Sequence, residues 1–324
     1  MKAILITGGA GYIGSHICKA LAKKGYEPIT IDNLSTGNRS AVRWGPLYEG
    51  DIGDKKLVKT ILEKYPVYGV IHLAAYSNVR ESHQAPLKYY QNNVGATLSL
   101  LEVLLEMKVV PFVFSSTCAV YGMPQKVPID ESHPKNPINP YGESKLIVEK
   151  ILQAIPELNC ALLRYFNAAG ADVEGEIGES HDPETHLIPL LIQTAMGKRE
   201  TFTLNGEGHR TEDGTPIRDF IHVTDLALAH ILALEKLIEK KESITLNLGT
   251  GIGYSVREVI SHVEKKGKTK IPITVGGSFA GDPPILVANG DKAMKTLGWK
   301  PQYDLSTMIE TAWNWHQEQV ELIL

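Results

Sequence analysis

A tyrosine and a lysine stand four positions apart in the segment NPYGESK (139–145), as Tyr141 and Lys145. Residues with this spacing share one face of a helix. An ammonium group beside a phenol favours the phenolate and lowers the pKa of the phenol. The pair is therefore a candidate acid/base site, although the same spacing also occurs on ordinary helix surfaces.

A further hydroxyl is offered by Thr117, in FSSTCAVYG (114–122), directly after an apolar run at 109–116. In open parallel sheets, ligands bind at the carboxyl ends of the strands. At such a strand end, the Thr117 hydroxyl can share a substrate hydrogen bond with Tyr141, and Lys145 can reach a nicotinamide ribose. The three residues predict a site that moves a proton while a nicotinamide cofactor takes a hydride.

The segment TGGAGYIGSH (7–16) is a glycine-rich loop between a predicted strand and a predicted helix. Gly9, Gly11 and Gly14 form G-x-G-x-x-G, and a second glycine series begins at Gly8. Glycines let the backbone approach a pyrophosphate, and the helix N-terminus offers free N–H groups. In this context of strand, loop and helix, the loop predicts dinucleotide binding.

The second predicted strand ends at Asp32. A carboxylate there can accept both ribose hydroxyls of an adenosine and would repel a 2′-phosphate, so the predicted cofactor is NAD rather than NADP. The alternative for Asp32 is a helix cap or a turn. Asp51, in GDI (50–52), follows another short run and is expected near the adenine.

Short apolar runs alternate with helical patterns along the first half of the chain. The predicted strands are 3–7, 27–32, 67–75, 109–116 and 160–167, and helical patterns include 16–25, 95–108 and 142–155. Such alternation predicts a parallel sheet covered on both faces. We expect an α/β fold with a Rossmann-type doubly wound parallel sheet in an NAD-binding domain at 1–167. A smaller C-terminal α/β substrate domain is expected at 168–324, with segments that can interleave.

The two helices at 95–108 and 142–155 are apolar on nearly every side. A helix of this kind is buried against more than one neighbour. Two interpretations stay open: deep burial under the second domain, or an interface of a homodimer that joins four helices from two chains.

Composition excludes several other classes of protein. The formal net charge is −4 with no long basic stripe, which argues against nucleic acid as a partner. No apolar run reaches the length of a membrane span or of a signal peptide. The three cysteines, Cys18, Cys118 and Cys160, are widely spaced and form no C-x-x-C motif, so a reducing, cytoplasmic location is expected. No metal site is predicted.

Ordered motifs along nearly the whole chain resemble one family. They are TGGAGYIGSH, EGDI, HLAA, YYQNNV, FSSTCAVYG, PYGESK, RYFNAAGA, ETHLIP, TEDGTPIRDFIHV and GDPPILVA. The chain resembles the extended short-chain dehydrogenase/reductase family and, within it, the nucleotide-sugar 4-epimerases. The resemblance implies interconversion of UDP-glucose and UDP-galactose through a transient 4-keto sugar, with Tyr141 as the acid/base group, Lys145 as its partner and Thr117 in the place often held by serine.

The resemblance also implies two sets of binding residues. Expected NAD contacts are Gly8, Gly11, Tyr12, Ile13, Gly14, Asp32, Asn33, Asp51, Ile52, Leu73, Ala74, Ala75, Asn93, Tyr141, Lys145 and Phe166. Expected nucleotide-sugar contacts are Thr117, Tyr141, Asn167, Leu187, Arg218 and Asp282. Arg218 suits a diphosphate, although an ion pair with Asp219 or another acid is the alternative.

Departures from the family pattern argue against one of the family's reactions and leave the identity of the substrate undecided. Family dehydratases carry an Asp-Glu pair after the threonine, whereas this chain has Cys118 and Ala119, which argues against a dehydratase. Asn205, Ser278 and Phe279 stand at positions that vary on the nucleotide side, so the base, the sugar and the acceptance of N-acetylated sugars stay open. The rival interpretations are a family reductase or dehydrogenase that exchanges its cofactor, an epimerase for another sugar nucleotide, and a binding protein that has lost catalysis.

Overall fold

Thirteen strands and eleven α-helices are found in the computed structural model, which describes residues 1–277 and 282–321, with side chains to residue 318. The strands are β1 Lys2–Thr7, β2 Tyr26–Asp32, β3 Leu47–Glu49, β4 Val67–His72, β5 Pro111–Thr117, β6 Asn159–Tyr165, β7 Asn167–Ala169, β8 Phe202–Leu204, β9 Ile217–His222, β10 Ile244–Leu248, β11 Gly253–Ser255, β12 Ile273–Val275 and β13 Ile285–Leu286. The helices are α1 Tyr12–Lys23, α2 Lys55–Lys64, α3 Val79–Gln84, α4 Pro86–Tyr89, α5 Thr97–Glu106, α6 Pro140–Gln153, α7 Leu187–Ala195, α8 Val223–Lys240, α9 Val256–Gly267, α10 Asp291–Leu297 and α11 Leu305–Glu321.

Seven parallel strands form the main sheet, in the order β10-β6-β5-β4-β1-β2-β3. The direction of strand succession reverses between β1 and β4, so the carboxyl ends of these two strands open a crevice. The Rossmann-type doubly wound sheet expected from the sequence is confirmed. β10 comes from the second half of the chain, yet it pairs with β6 and completes this sheet.

Helices cover both faces of the main sheet because each has one strongly apolar side. On one face, Val58 of α2, Leu104 of α5 and Val148 of α6 share a core with β1, β2, β4, β5 and β6. On the other face, Ile17 of α1 and Leu234 of α8 pack against the same sheet. The strands are buried on both sides, as parallel sheets require.

Side-chain caps set the start of several helices. Asn139 precedes α6 and its Oδ1 accepts the Gly142 N–H at 2.7 Å, with Pro140 as the first helical residue. Asp54 caps α2 in the same way by accepting the N–H groups of Lys56 and Leu57. Both caps satisfy donors that a helix leaves unpaired. Because α6 begins at Pro140, Tyr141 and Lys145 fall on its first two turns.

A smaller unit of mixed strands and helices lies beside the carboxyl ends of the main sheet. β9 pairs with β11, β13 and β7, and β8 pairs with β12. Helices α7, α9 and α11 pack together around Leu191, Val259 and Ile309. This unit brings β9, β13 and the start of α7 to the crevice, as expected for a C-terminal α/β part.

The apolar pattern predicted at 95–108 corresponds to two consecutive helical segments. A wider helical turn covers Tyr90–Ala96 and leads directly into α5. α5 packs against α2, while Leu98 keeps 41% of its surface exposed. Along the part of the chain that the structure describes, no helix is long and apolar enough to cross a bilayer.

Candidate active site

A cleft of about 1330 Å³ runs between the carboxyl ends of the main-sheet strands and the smaller unit. With the exception of Asn93, each residue that the sequence nominates for the site lines this cleft. The nominated residues come from the loops after β1, β2, β3, β4 and β6, from the loop before β13, and from α1, β2, β5, α6, β7, β9 and the start of α7. The volume exceeds that of a common small-molecule pocket, which is about 300–1,000 Å³, so two ligands fit side by side.

The glycine loop between β1 and α1 forms one end of the cleft. Gly8 adopts a left-handed φ of +75°, and a Cβ there would lie 2.8 Å from the Ala74 backbone nitrogen. A Cβ on Gly14 would lie 2.1 Å from the Gly8 carbonyl oxygen. Helix α1 starts after Gly11 without a side-chain cap, and Gly11, Tyr12 and Ile13 line the cleft. Glycine is required here, and the exposed helix start suits a pyrophosphate.

Asp32 lies at the end of β2 beside this loop, as the sequence predicts. Its Oδ2 accepts the Ala10 N–H at 3.0 Å and its Oδ1 accepts the Leu34 N–H at 2.8 Å. Burial raises the pKa of its carboxyl, and the two backbone hydrogen bonds oppose that shift. Each oxygen keeps a second lone pair, so the turn role and a ribose contact are compatible.

Asn33 and Asp51 meet at the outer edge of the same end of the cleft. Asn33 Nδ2 donates to Asp51 Oδ2 at 3.2 Å, and Asp51 Oδ1 accepts the Gly53 N–H at 2.7 Å. The two side chains therefore hold the ends of β2 and β3 together while both line the cleft.

Asn93 lies behind the cleft wall rather than on it. Its Oδ1 accepts the Tyr76 N–H at 2.9 Å, and its Nδ2 donates to the Tyr76 carbonyl and to Ser144 Oγ, both at 3.0 Å. These bonds fix the loop that carries Leu73, Ala74 and Ala75 against α6. The structure places Asn93 in a supporting position that sequence spacing alone does not reveal.

Thr117 and Tyr141 meet at the floor of the cleft. Both side chains are buried and line the cleft, and Thr117 is close enough to lower the pKa of the Tyr141 hydroxyl. Thr117 ends β5, where its Oγ1 also accepts the Ala119 N–H at 3.1 Å. A phenol and an alcohol thus converge where the strand ends, which is the arrangement that the sequence predicts for sharing one substrate hydroxyl.

Lys145 lies one turn further along α6 and is also buried. Its Nζ donates to the Ser115 carbonyl at 2.8 Å and lies 4.8 Å from the centre of the Phe114 ring. Burial lowers the pKa of Lys145 to about 7, although Glu149 raises it. The amine is therefore poised between its charged and neutral forms at neutral pH.

The pKa of Tyr141 differs from the direction that the sequence suggests. Burial is the largest influence and raises the pKa of this phenol, the nearby Tyr165 raises it further, and the Thr117 hydrogen bond lowers it. The expectation of a lowered pKa is wrong, because the loss of solvent on burial is the largest influence on this phenol.

A buried network beneath the catalytic floor escaped the sequence analysis. Arg164 of β6 and Glu149 of α6 form a two-pronged ion pair, with Nε–Oε1 at 2.8 Å and Nη2–Oε2 at 2.6 Å. Ser116 donates to the same carboxylate at 2.6 Å, and Arg164 also donates to Tyr121. A buried pair with its hydrogen bonds satisfied fixes α6 against β5 and β6. The only signal in the sequence is the charge of Arg164 within an apolar strand.

The opposite end of the cleft carries the residues expected to contact a sugar nucleotide. Arg218 of β9 pairs with Asp282 at 2.8 Å, so it does pair with an acid, but not with Asp219. Asp219 instead accepts N–H groups from Thr250, Gly251 and Ala288. Asn167 donates to the Asp219 carbonyl at 3.0 Å.

The structure describes only some of the positions that bear on the choice of substrate and reaction. Asn205 lines the cleft together with Phe202, and Leu187 lines it at the start of α7. Ser278 and Phe279 lie outside the described residues. Burial raises the pKa of Cys118 to about 12, so its thiol is neutral and cannot act as the base that a dehydratase needs.

The comparisons with known proteins agree with this geometry. Residues 4–249 match the family described as "NAD dependent epimerase/dehydratase family". The chain belongs to this family.

Several known proteins are similar over almost their whole length. A UDP-glucose 4-epimerase from Rhizobium leguminosarum bv. trifolii is 50% identical over 318 residues, with 97% of each chain covered. The crystal structure of a UDP-glucose 4-epimerase from Brucella ovis in complex with NAD is 48% identical with a TM-score of 0.94, covering 97% of this chain and 98% of that one. A UDP-glucose 4-epimerase from Bifidobacterium longum in complex with NAD⁺ and UDP is 36% identical with a TM-score of 0.94, covering 98% and 99%.

Proposed function

We propose that the protein is an NAD-dependent nucleotide-sugar 4-epimerase that interconverts UDP-glucose and UDP-galactose. One observation carries the proposal: the buried Thr117–Tyr141 pair lies at the floor of a cleft that has the glycine loop at one end and Arg218 at the other. Similar proteins named UDP-glucose 4-epimerase, one of them holding NAD and UDP together, support this assignment.

The cofactor end of the cleft fits NAD. The glycine loop leaves room for backbone contact with a pyrophosphate, the uncapped start of α1 offers N–H donors, and Asp32 offers a carboxylate to ribose hydroxyls. Bound NAD supplies a hydride acceptor and donor at the sugar C4, so epimerisation involves no net redox change.

The residues at the floor handle the proton of the C4 hydroxyl. Tyr141 accepts this proton when the 4-keto sugar forms and returns it when the keto group is reduced from the other face. Thr117 hydrogen-bonds the same oxygen. A charged Lys145 stabilises the ionised form of Tyr141, which is the form that accepts the proton.

The substrate end holds the diphosphate and leaves the sugar free to turn. Arg218 offers a planar pair of donors suited to phosphate oxygens, while Asp282 holds the side chain in position until substrate binds. Asn167 and Leu187 line the space between Arg218 and the floor. The nucleotide must be bound tightly and the sugar weakly, because the sugar has to turn to present both faces of C4 to the cofactor.

The deciding assay uses the purified protein with no added cofactor. We expect UDP-galactose and UDP-glucose to interconvert by NMR, and denaturation to release NAD(H) that is visible by absorbance. A need for stoichiometric external NAD(H) would instead identify a reductase or dehydrogenase. A panel with UDP-N-acetylglucosamine, UDP-xylose and non-uridine sugar nucleotides tests the base and the sugar.

We further propose that the protein forms a homodimer through helices 95–108 and 142–155. Leu98 on α5 is 41% exposed, and Ile147 and Ile151 on α6 are half-buried, so both helices keep apolar surface outside the fold. Leu98→Asp is expected to give monomers in size-exclusion chromatography with light scattering. The control is Val275→Asp, at another exposed apolar residue, and a monomeric wild-type protein would contradict the proposal.

The compartment remains a proposal as well. Cys18, Cys118 and Cys160 are buried free thiols, which favours a reducing environment such as the cytoplasm.

A further inference from the structure

The cleft wall before α7 holds a group of polar side chains that the proposed reaction does not use. In the segment GESHDPETH (178–186), four residues each bring one ligand atom within 4.8 Å of the others: Glu179, His181, Glu184 and His186. Imidazole nitrogens and carboxylate oxygens are ligands of Zn²⁺ and of related divalent transition ions. The spacing E-x-H-x-x-E-x-H escaped the sequence analysis, which predicted no metal site.

Three of the four His–Glu distances in the cluster are close to the spacing of ligands around a metal ion. His181 Nδ1 lies 3.4 Å from Glu179 Oε1 and 3.7 Å from Glu184 Oε2, and His186 Nδ1 lies 3.6 Å from Glu184 Oε1. Ligands about 2.0–2.1 Å from a tetrahedral ion lie about 3.3–3.4 Å from each other. The Glu179–His186 contact of 2.5 Å is closer, so these two side chains must part by about 1 Å for both to bind one ion.

Unpaired buried atoms point into the same space. The Glu184 side chain is only 3% exposed, and its Oε1 accepts the N–H groups of Thr185 and His186. Glu184 Oε2 and His181 Nδ1 have no hydrogen-bond partner within the described ranges. Buried carboxylate and imidazole atoms are rarely left unpaired in native proteins. A metal ion coordinated by both atoms would satisfy them.

A second group of acidic side chains in the protein surrounds a cation. Asp172, Glu174 and Glu176 also lie close together, but Lys19 Nζ lies between them at 2.5, 2.8 and 2.5 Å. That group already holds a cation. By contrast, the ion pairs seen for Glu179 and Glu184 in the described parts of the chain are with His181 and His186, which carry no permanent charge.

We propose that Glu179, His181, Glu184 and His186 bind one divalent transition-metal ion of the Zn²⁺ class. Four protein ligands make the site structural rather than catalytic. His186 immediately precedes α7, and Leu187 beside it lines the cleft. The ion fixes this wall to α11, through the Trp315 hydrogen bond to the Glu179 carbonyl, and to the loop after β2, through Asn38 and the Ser180 carbonyl.

The test titrates chelator-treated protein, with its nicotinamide cofactor retained, with Co²⁺ alone. We expect one equivalent to bind and to show the intense visible absorption of tetrahedral cobalt. His181→Gln and Glu184→Gln should each weaken Co²⁺ binding by at least about 100-fold, because each removes one of four ligands. His262→Gln is the matched control on α9, where its ring faces Ser306 at 3.4 Å, and it should bind like the wild type.

Thermal unfolding gives a readout that is independent of activity. Zn²⁺ should raise the Tm of the wild-type protein and of His262→Gln but not that of His181→Gln, because only a ligand that binds the native state shifts the transition. Wild-type protein that binds no stoichiometric Co²⁺ would overturn the proposal. So would His181→Gln and Glu184→Gln variants that bind Co²⁺ as tightly as the wild type does. Either result would identify the cluster as a network of ion pairs only.

Discussion

The two ends of the cleft are built in different ways. The cofactor wall, formed by residues 8–14, 32–37 and 73–76, lies on consecutive strand ends of the main sheet and presents mostly backbone and small side chains. The substrate wall, formed by Asn167, Leu187, Arg218 and Asp282, combines segments far apart in the chain. Backbone geometry fixes the first wall, whereas side-chain contacts such as Arg218–Asp282 fix the second. We therefore expect substitutions in the two walls to have separable effects.

The largest effect is expected at the floor, which belongs to neither wall. Tyr141→Phe should lower kcat by about 10²-fold or more, because it removes the acid/base hydroxyl while keeping the ring. Steady-state turnover measures the fall in kcat. The absorbance of cofactor released on denaturation measures NAD retention, which should not change. Tyr68→Phe, at an exposed tyrosine, is the matched control. Turnover close to that of the wild type in Tyr141→Phe would remove the assignment of the proton-transfer group.

The cofactor wall is tested most strongly at Gly14. In Gly14→Ala the new Cβ would lie 2.1 Å from the Gly8 carbonyl oxygen, so the loop has to shift. Overpacking of this kind costs about 1–3 kcal/mol, which should appear as a lower Tm and as loss of bound NAD. Gly95→Ala is the control, because its Cβ would meet no atom closer than 3.9 Å. A Gly14→Ala variant that retains its full complement of NAD would show that the wall is not fixed by backbone geometry.

The substrate wall is tested by Arg218→Ala. Loss of charge-assisted hydrogen bonds worth about 1.5–3 kcal/mol should raise KM for the sugar nucleotide by about 10- to 100-fold. NAD content should stay at the wild-type level, which is the result that separates the two walls. Arg218→Lys keeps the charge but not the planar pair of donors, so an intermediate KM is expected. Loss of NAD from Arg218→Ala would show that the two walls are coupled.

The smallest effect is expected for Asp32→Asn. The amide oxygen can still accept one of the two backbone N–H groups. The charge proposed to face the ribose is lost. NAD affinity should fall about ten-fold, or about 1.4 kcal/mol, and the preference over NADP should relax. Calorimetry with both cofactors measures these changes. A selectivity that stays the same would assign Asp32 to the turn alone.

Local patterns predicted the strands, the loop and the helix around the proposed cofactor wall, because these elements are local in the chain. The glycine series, the strand that ends at Asp32 and the helix that carries Tyr141 each depend on contiguous residues. Period and capping signals therefore located them to within a few positions. The substrate wall was nominated through family resemblance, since nothing in the spacing of Arg218 and Asp282 indicates that they meet.

The two predicted domains cannot be separated by one cut in the chain, because elements of the second half belong to the main sheet. The assignment of 1–167 and 168–324 stays a prediction, and β10 and α8 of the second half pack into the main sheet with β6 and β5. The segment SITLNLGTG (243–251) is predicted as a strand and a turn, but only pairing in space decides that its strand joins the main sheet beside β6.

The sequence alone determined the alternation of strands and helices, the phosphate loop and the spacing of Tyr141 and Lys145. All of these arise from backbone periodicity and glycine sterics over short distances. Tertiary structure alone decided that Asn93 supports the wall from behind, that burial raises the pKa of Tyr141, and that Arg218 faces Asp282. It also decided that Glu184 Oε2 and His181 Nδ1 lie near each other without a hydrogen-bond partner in the described parts of the chain. Desolvation and through-space charge depend on neighbours distant in the chain, so no local pattern records them.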